Sequence, residues 1–168
     1  MRASHAKRPV MRVLRRRVTV DVTESRFNPV DLALFVRAMG LARLAQRATS
    51  VPLPKLVAEM SRRRRGSRRH SADRLSRATV RATSRWSRWF GGFDTCLVRS
   101  LVLGALLADR TGVALNIGFR PGEDQSSVDG HAWVTIDGSP VGPDGNRATG
   151  HYSRLLAVPF GDRERIDD

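Results

Sequence analysis

The sequence predicts an α+β domain, with helices in its first half, a central apolar helix, and an antiparallel sheet in its second half. Three observations predict it. Apolar residues recur at helical spacing up to Phe90, Cys96 opens a long apolar helical run, and the strand-like block His131-Ala132-Trp133-Val134-Thr135-Ile136 is followed by Asp137-Gly138, a dipeptide favoured in two-residue hairpin turns.

In chain order, residues 1–27 read as a basic arm, with Val18-Thr19-Val20-Asp21-Val22 as a short strand. Asn28-Pro29 supplies an N-cap and a first helical residue. The stripe Leu34, Phe35, Ala38, Leu41, Ala42 and Ala45 predicts a helix from about Pro29 to Gln46, packed against the rest of the domain. Pro52 and Pro54 interrupt the chain, and Leu56, Val57 and Met60 mark a short second helix. The charge run from Arg62 to Arg65 and on to Arg68-Arg69 reads as an exposed loop or a solvated helix face. A third helix, Ala72 to Phe90, sets Leu75, Ala78, Ala82, Trp86 and Trp89 on one side, with both tryptophans expected as core anchors, and Gly91-Gly92 ends it.

The run from Cys96 to about Arg110 is apolar on most sides, as in a buried central helix, with Gly112 as its C′ residue. Val113 to Phe119 is the first expected strand, Arg120 to Gly130 a polar loop, and His131 the opening of the next strand. If Asp137 and Gly138 form the turn, Ile136 faces Ser139, and counting outward sets His131 opposite Asp144. Parity makes that a non-hydrogen-bonded pair, whose Cα atoms lie about 4.5 Å apart. Pro140 suits the register, whereas Pro143 would delete a ladder bond, so the returning strand is expected to be short, at an edge, or distorted near Asp144. Tyr152, Leu155, Leu156 and Val158 are expected to close the core, and residues 161–168 to form a tail.

A chain of 168 residues fits one domain of ordinary size. Its net charge of +14 is almost all arginine, since Lys7 and Lys55 are its only lysines, and is concentrated before Phe90. Such a surface suits polyanions, whether nucleic acid, anionic membrane or acidic peptide, and equally suits plain solvated helix faces. A single cysteine excludes an internal disulfide framework and argues against zinc, and no cofactor is expected. No run approaches the roughly 20 apolar residues of a membrane span, and the basic start has no apolar signal-like core, so the expected location is the cytoplasm.

A cysteine at a helix N-terminus, followed later by a histidine on a strand, is the arrangement of a cysteine nucleophile. The helix end favours thiolate over thiol, and its free N–H groups can stabilise an oxyanion formed on an attacked carbonyl. The imidazole would take up and return the proton, oriented by a third polar group. Cys96, His131 and Asp144 are the candidates for these roles; Asp137 belongs to the turn. Each residue alone has a plainer reading, as a buried small side chain, a packed histidine or a turn aspartate.

The block Gly92-Phe93-Asp94-Thr95-Cys96-Leu97-Val98-Arg99-Ser100-Leu101, then Asn116-Ile117-Gly118-Phe119, then Gly130-His131-Ala132-Trp133-Val134 and Asp137-Gly138-Ser139-Pro140-Val141, resembles the lasso-peptide leader peptidases. These belong to the transglutaminase-like branch of the papain-fold cysteine proteases. The resemblance runs from about Gly91 to Phe160 and maps the family nucleophile onto Cys96, the histidine onto His131 and, in a less tightly patterned segment, the acid onto Asp144. Many members carry an acidic residue where this chain has Thr135, a change expected to bear on substrate contacts.

The resemblance implies a papain-like, transglutaminase-like fold and amide hydrolysis through a thioester. It also implies a ribosomally made precursor peptide as substrate, cut between leader and core, with a separate ATP-dependent macrolactam cyclase acting afterwards. The helical N-terminal half is unlike the winged leader-binding module of the family, so a separate leader-binding protein is the expected partner, and nucleic acid is disfavoured. The expected organisation is a basic arm (1–27), an arginine-rich helical region (28–90), a peptidase core (91–160) and a tail (161–168). Two rival readings remain open: an arginine-rich binding protein for nucleic acid or acidic peptide, and a transglutaminase-like acyl transferase.

Overall fold

A computed structural model describes residues 28–63, 67–122, 127–148 and 151–161. The basic arm, with the strand expected at Val18–Val22, the middle of the arginine run and the tail beyond Gly161 lie outside these residues. Among the described residues, five α-helices and a four-stranded antiparallel sheet give the α+β class.

Helix α1 (Pro29–Ala45) starts where Asn28 accepts a hydrogen bond from the Val30 N–H, and it runs into a 3₁₀ turn at Gln46–Thr49. Helix α2 (Leu53–Arg62) buries Leu56, Val57 and Met60. Helix α3 (Ala72–Phe90) is capped by Ser71 and stopped by Gly91, which takes a left-handed φ of 66°. Trp86 is partly buried as an anchor, but Trp89 is 57% exposed, because it sits in the last turn, beyond the part of α3 that meets the core.

Helix α4 (Cys96–Leu107) is the central element, with Leu101, Leu106 and Leu107 fully buried. It ends at Ala108, so Gly112 is not its C′ residue. Gly112 serves the hairpin instead: its carbonyl accepts from the Asp137 N–H, and a Cβ there would meet the Asp137 carboxylate at 1.9 Å.

The sheet order is β3-β2-β1-β4, from β1 (Val113–Pro121), β2 (Val128–Ile136), β3 (Ser139–Val141) and β4 (Ser153–Pro159). Strand β2 begins three residues before His131, which shortens the expected polar loop. The turn is at Asp137-Gly138, both at positive φ (49° and 80°), and Ile136 pairs with Ser139 and Thr135 with Pro140 as the counting requires. The ladder then stops at Val134–Val141, so His131 and Asp144 are not cross-strand partners. Gly142 bends the chain at φ 75°, and Pro143, with no N–H to give a ladder, sits in the first turn of helix α5 (Gly142–Ala148), which contains Asp144.

One hydrophobic cluster joins Leu34, Leu56 and Leu75 from the first three helices to Leu101, Leu115 and Val134. Val158 and Phe160 close it, whereas Leu155 and Leu156 are exposed on the outer strand β4. No helix among the described residues is long and apolar enough to cross a membrane.

Candidate active site

Cys96 is the first residue of α4, and its approach is held from several sides. The Gln46 side-chain amide donates to the Phe93 carbonyl (2.9 Å) and accepts from the Phe93 N–H (2.8 Å). Asp94 accepts from the Ser84 hydroxyl at 2.8 Å, and the Trp86 ring fills the space where a Cβ on Gly92 would lie. Thr95 caps the helix: its hydroxyl accepts from the Val98 N–H and its carbonyl from the Arg99 N–H. The Cys96 and Leu97 N–H groups are left without a partner among the described residues. These are the donors that an oxyanion beside the Cys96 sulfur would meet.

His131 faces the same cleft, about 550 Å³ in volume, lined by Cys96, Arg99, Asn146, Arg147 and His151 together with the residues around the imidazole. His131 is 8% exposed, and its ring lies between Tyr152, with centroids 5.0 Å apart, and Trp133, at 6.1 Å. Gly118 is its cross-strand neighbour on β1; a Cβ there would lie 2.6 Å from the Ser153 carbonyl and 2.9 Å from the Trp133 ring, so glycine lets both β4 and Trp133 pack close beside the histidine. The Ser100 hydroxyl donates to the Ala132 carbonyl at 2.9 Å, tying α4 to β2 beside His131.

The third group differs from the one the strand counting predicts. His131 Nε2 is 2.8 Å from the main-chain carbonyl of Asp144. The Asp144 carboxylate does not reach the ring; both its oxygens accept from Arg99, Oδ2 from Nε at 2.8 Å and Oδ1 from Nη2 at 2.9 Å. Arg99 stands one turn after Cys96 on α4 and also donates to the Asp94 carboxylate and carbonyl. Hydrogen bonding to Asp144 holds its guanidinium above the ordinary arginine range, against the opposing effect of burial. Since a carbonyl can only accept, Nε2 carries the imidazole proton and Nδ1 is the basic nitrogen.

A second polar cluster borders the imidazole and was not foreseen from the sequence. Asp129, two residues before His131 on β2, accepts from the Tyr152 hydroxyl (2.8 Å) and from Arg120 Nε (2.9 Å). These bonds, and then the charges of Arg120 and His131, hold the Asp129 carboxyl below its usual value. Burial, followed by donation to Asp129, raises Tyr152 above the ordinary phenol value, and the Arg120 guanidinium lies over its ring at 4.9 Å. Strand alternation sets Asp129 on the face of His131, and that signal was available in the sequence. Tyr152, expected in the core, is a wall of the cleft instead.

Thr135 is buried, its hydroxyl accepts from the Asn116 amide at 3.0 Å, and it does not line the cleft. No group of three or more metal-ligating side chains occurs among the described residues. The sequence model of the transglutaminase-like superfamily matches residues 30–157, which takes in α1 to α3 as well as the segment bearing Cys96, His131 and Asp144. No curated protein and no solved structure matches the chain.

Proposed function

Because the chain belongs to the transglutaminase-like superfamily, we propose that it is a cysteine peptidase that removes the leader from a ribosomally made precursor peptide, as in lasso-peptide maturation. One observation carries the enzymatic part: the thiol at the capped N-terminus of α4 opens onto the cleft that holds an imidazole with a fixed tautomer. The peptide substrate and the maturation role rest on the resemblance of the Cys-Leu-x-Arg-Ser-Leu and His-Ala-Trp-Val blocks.

In the proposed reaction, His131 Nδ1 takes the Cys96 proton and the thiolate attacks the scissile carbonyl carbon. The resulting oxyanion is received by the Cys96 and Leu97 N–H groups. The C–N bond then breaks, the imidazolium gives its proton to the departing amine, and a thioester remains on Cys96. Water attacks the thioester with His131 again as base, which releases the carboxylic acid and the thiol. Asp144 acts through its carbonyl, by orienting the imidazole, and Arg99 positions that carbonyl through the carboxylate. Arg120 is engaged by Asp129, whereas Arg147 is exposed at the cleft and favours a peptide with a carboxylate near the cut. A leader-binding protein and a macrolactam-forming cyclase complete the proposed pathway.

The test is cleavage of a precursor peptide by the wild-type chain and by Cys96→Ala, followed by mass spectrometry. Cleavage at one site by the wild type only is expected, and an alkylating agent should label Cys96 near neutral pH. Full cleavage by the alanine variant would sink the mechanism. Release of an amine adduct in place of the free acid, when a primary amine competes with water, would assign acyl transfer instead.

A further inference from the structure

Helices α1 and α3 enclose a groove of about 750 Å³ that shares no lining residue with the cleft of Cys96. Arg74, Arg77, Arg81, Arg85 and Arg88 recur every three or four residues along α3, so they fall on one helix face beside it. The carboxylate in the groove is Asp31, which is bound to Arg74 at 2.8 Å. Arg77, Arg81 and Arg88 have no ion-pair partner among the described residues, and Arg85 lies over the Trp89 ring at 5.1 Å. Asp31 also lies near enough for its charge to act on Arg77 and Arg81, but one carboxylate against five guanidinium groups leaves most of the repulsion within this row uncompensated. The first 27 residues are themselves basic, with Asp21 and Glu24 as their acids against eight basic side chains from Arg2 to Arg26.

The groove is apolar as well as basic. Phe35 and Ala78 line it, and Leu32 and Trp89, 47% and 57% exposed, stand at its rim. A nucleic-acid backbone would satisfy the guanidinium groups but leave this apolar surface wet, and a flat bilayer would not enter a concavity between two helices. We propose that the α1–α3 groove is a docking site for an acidic polypeptide segment that carries apolar anchors, its carboxylates meeting the Arg77–Arg88 row and its apolar side chains lying against Leu32, Phe35 and Trp89. The site is separate from the cleft, and the proposal stands whether or not the chain is a peptidase.

The experiment measures fluorescence anisotropy of a labelled helical glutamate peptide with leucine at every third and fourth position. Its comparators are an all-glutamate peptide, a single-stranded oligonucleotide and anionic vesicles. The wild type is expected to bind the leucine-containing peptide at least tenfold tighter than the all-glutamate one, with affinity falling as salt rises. Arg77→Glu with Arg81→Glu should weaken binding at least tenfold, and Leu32→Ser several-fold, with circular dichroism and the alkylation rate of Cys96 unchanged. Equal binding of the two peptides, an unchanged affinity after charge reversal, or tighter binding of the oligonucleotide or vesicles would overturn the proposal.

Discussion

His131 is oriented by a carbonyl, and Asp144 has its carboxylate turned away to Arg99, so that carboxylate holds geometry without touching the imidazole. The consequence is a graded loss, not collapse, when the acid is neutralised. In a triad whose carboxylate binds the imidazole, Asp→Asn costs about 10⁴ in rate through the wrong tautomer. Asp144→Asn keeps the carbonyl and the tautomer, and is expected to lower kcat by less than about 100-fold. The same change weakens a paired, mostly buried guanidinium, whose side chain is 21% exposed, and should cost about 1.5–3 kcal/mol in denaturant unfolding. Arg99→Lys, which cannot make the two-pronged contact, should show the same pattern, and a loss near 10⁴ for Asp144→Asn would return the carboxylate to the imidazole.

Tyr152 gives an independent reading of the same cleft, because it is the only tyrosine in the chain. Its ultraviolet titration therefore reports one phenol. The midpoint should lie above the ordinary value of about 10, and Asp129→Asn should bring it part of the way down. The sign follows from the neutral form being favoured in the folded chain: this contribution is present below the unfolded pKa and is lost as pH rises through the raised one. Asp129 has the opposite sense, its contribution holding above the unfolded carboxyl pKa and fading as pH falls through the lowered one. An unshifted Tyr152 midpoint would remove the proposed bond between the two.

Among the elements, α4 carries the most constraint, since it presents Cys96 at one end and lies under the sheet along its length. Gly104 lets it do so: a Cβ there would fall 2.1 Å from the Phe160 ring, and Phe160 is buried. Gly104→Ala is expected to destabilise the chain by about 1–3 kcal/mol in thermal or denaturant unfolding, although alanine is the better helix former. An unchanged or raised midpoint would show that Phe160 yields freely. The helices and the hairpin were legible because their signals are local: the Asn28 cap, the Gly91 stop and the Asp137-Gly138 turn each act within a few residues. Asp144 was placed near His131 by arithmetic that assumed an unbroken ladder, and the route was wrong because Gly142-Pro143 converts strand to helix. The Arg99–Asp144 contact, between residues 45 apart, and the exposure of Leu155 and Trp89 depend on which surfaces the fold leaves uncovered, which no local pattern encodes.

At the scale of the whole molecule, the arginine-rich helices and the segment from Cys96 onward share one core. Leu34, Ala38, Leu75 and Ala82 lie in the same cluster as Leu101 and Val134, and α4 packs against α1, α2 and α3 on one side and β1 and β2 on the other. Without α1 to α3, the buried leucines of α4 would face water over much of their surface, at roughly 1.5–3 kcal/mol for each fully uncovered side chain. That loss is comparable to the whole stability a chain of this size commands, about 5–15 kcal/mol, so the two parts should not unfold separately. Two of the three tryptophans report on them, Trp86 in α3 and Trp133 in β2. In variants retaining only one or the other, tryptophan fluorescence and helical circular dichroism should trace the same denaturant curve within each variant. A Trp86 signal lost at lower denaturant than the Trp133 signal, each judged against its own dichroism curve, would make the arginine-rich helices a unit of their own.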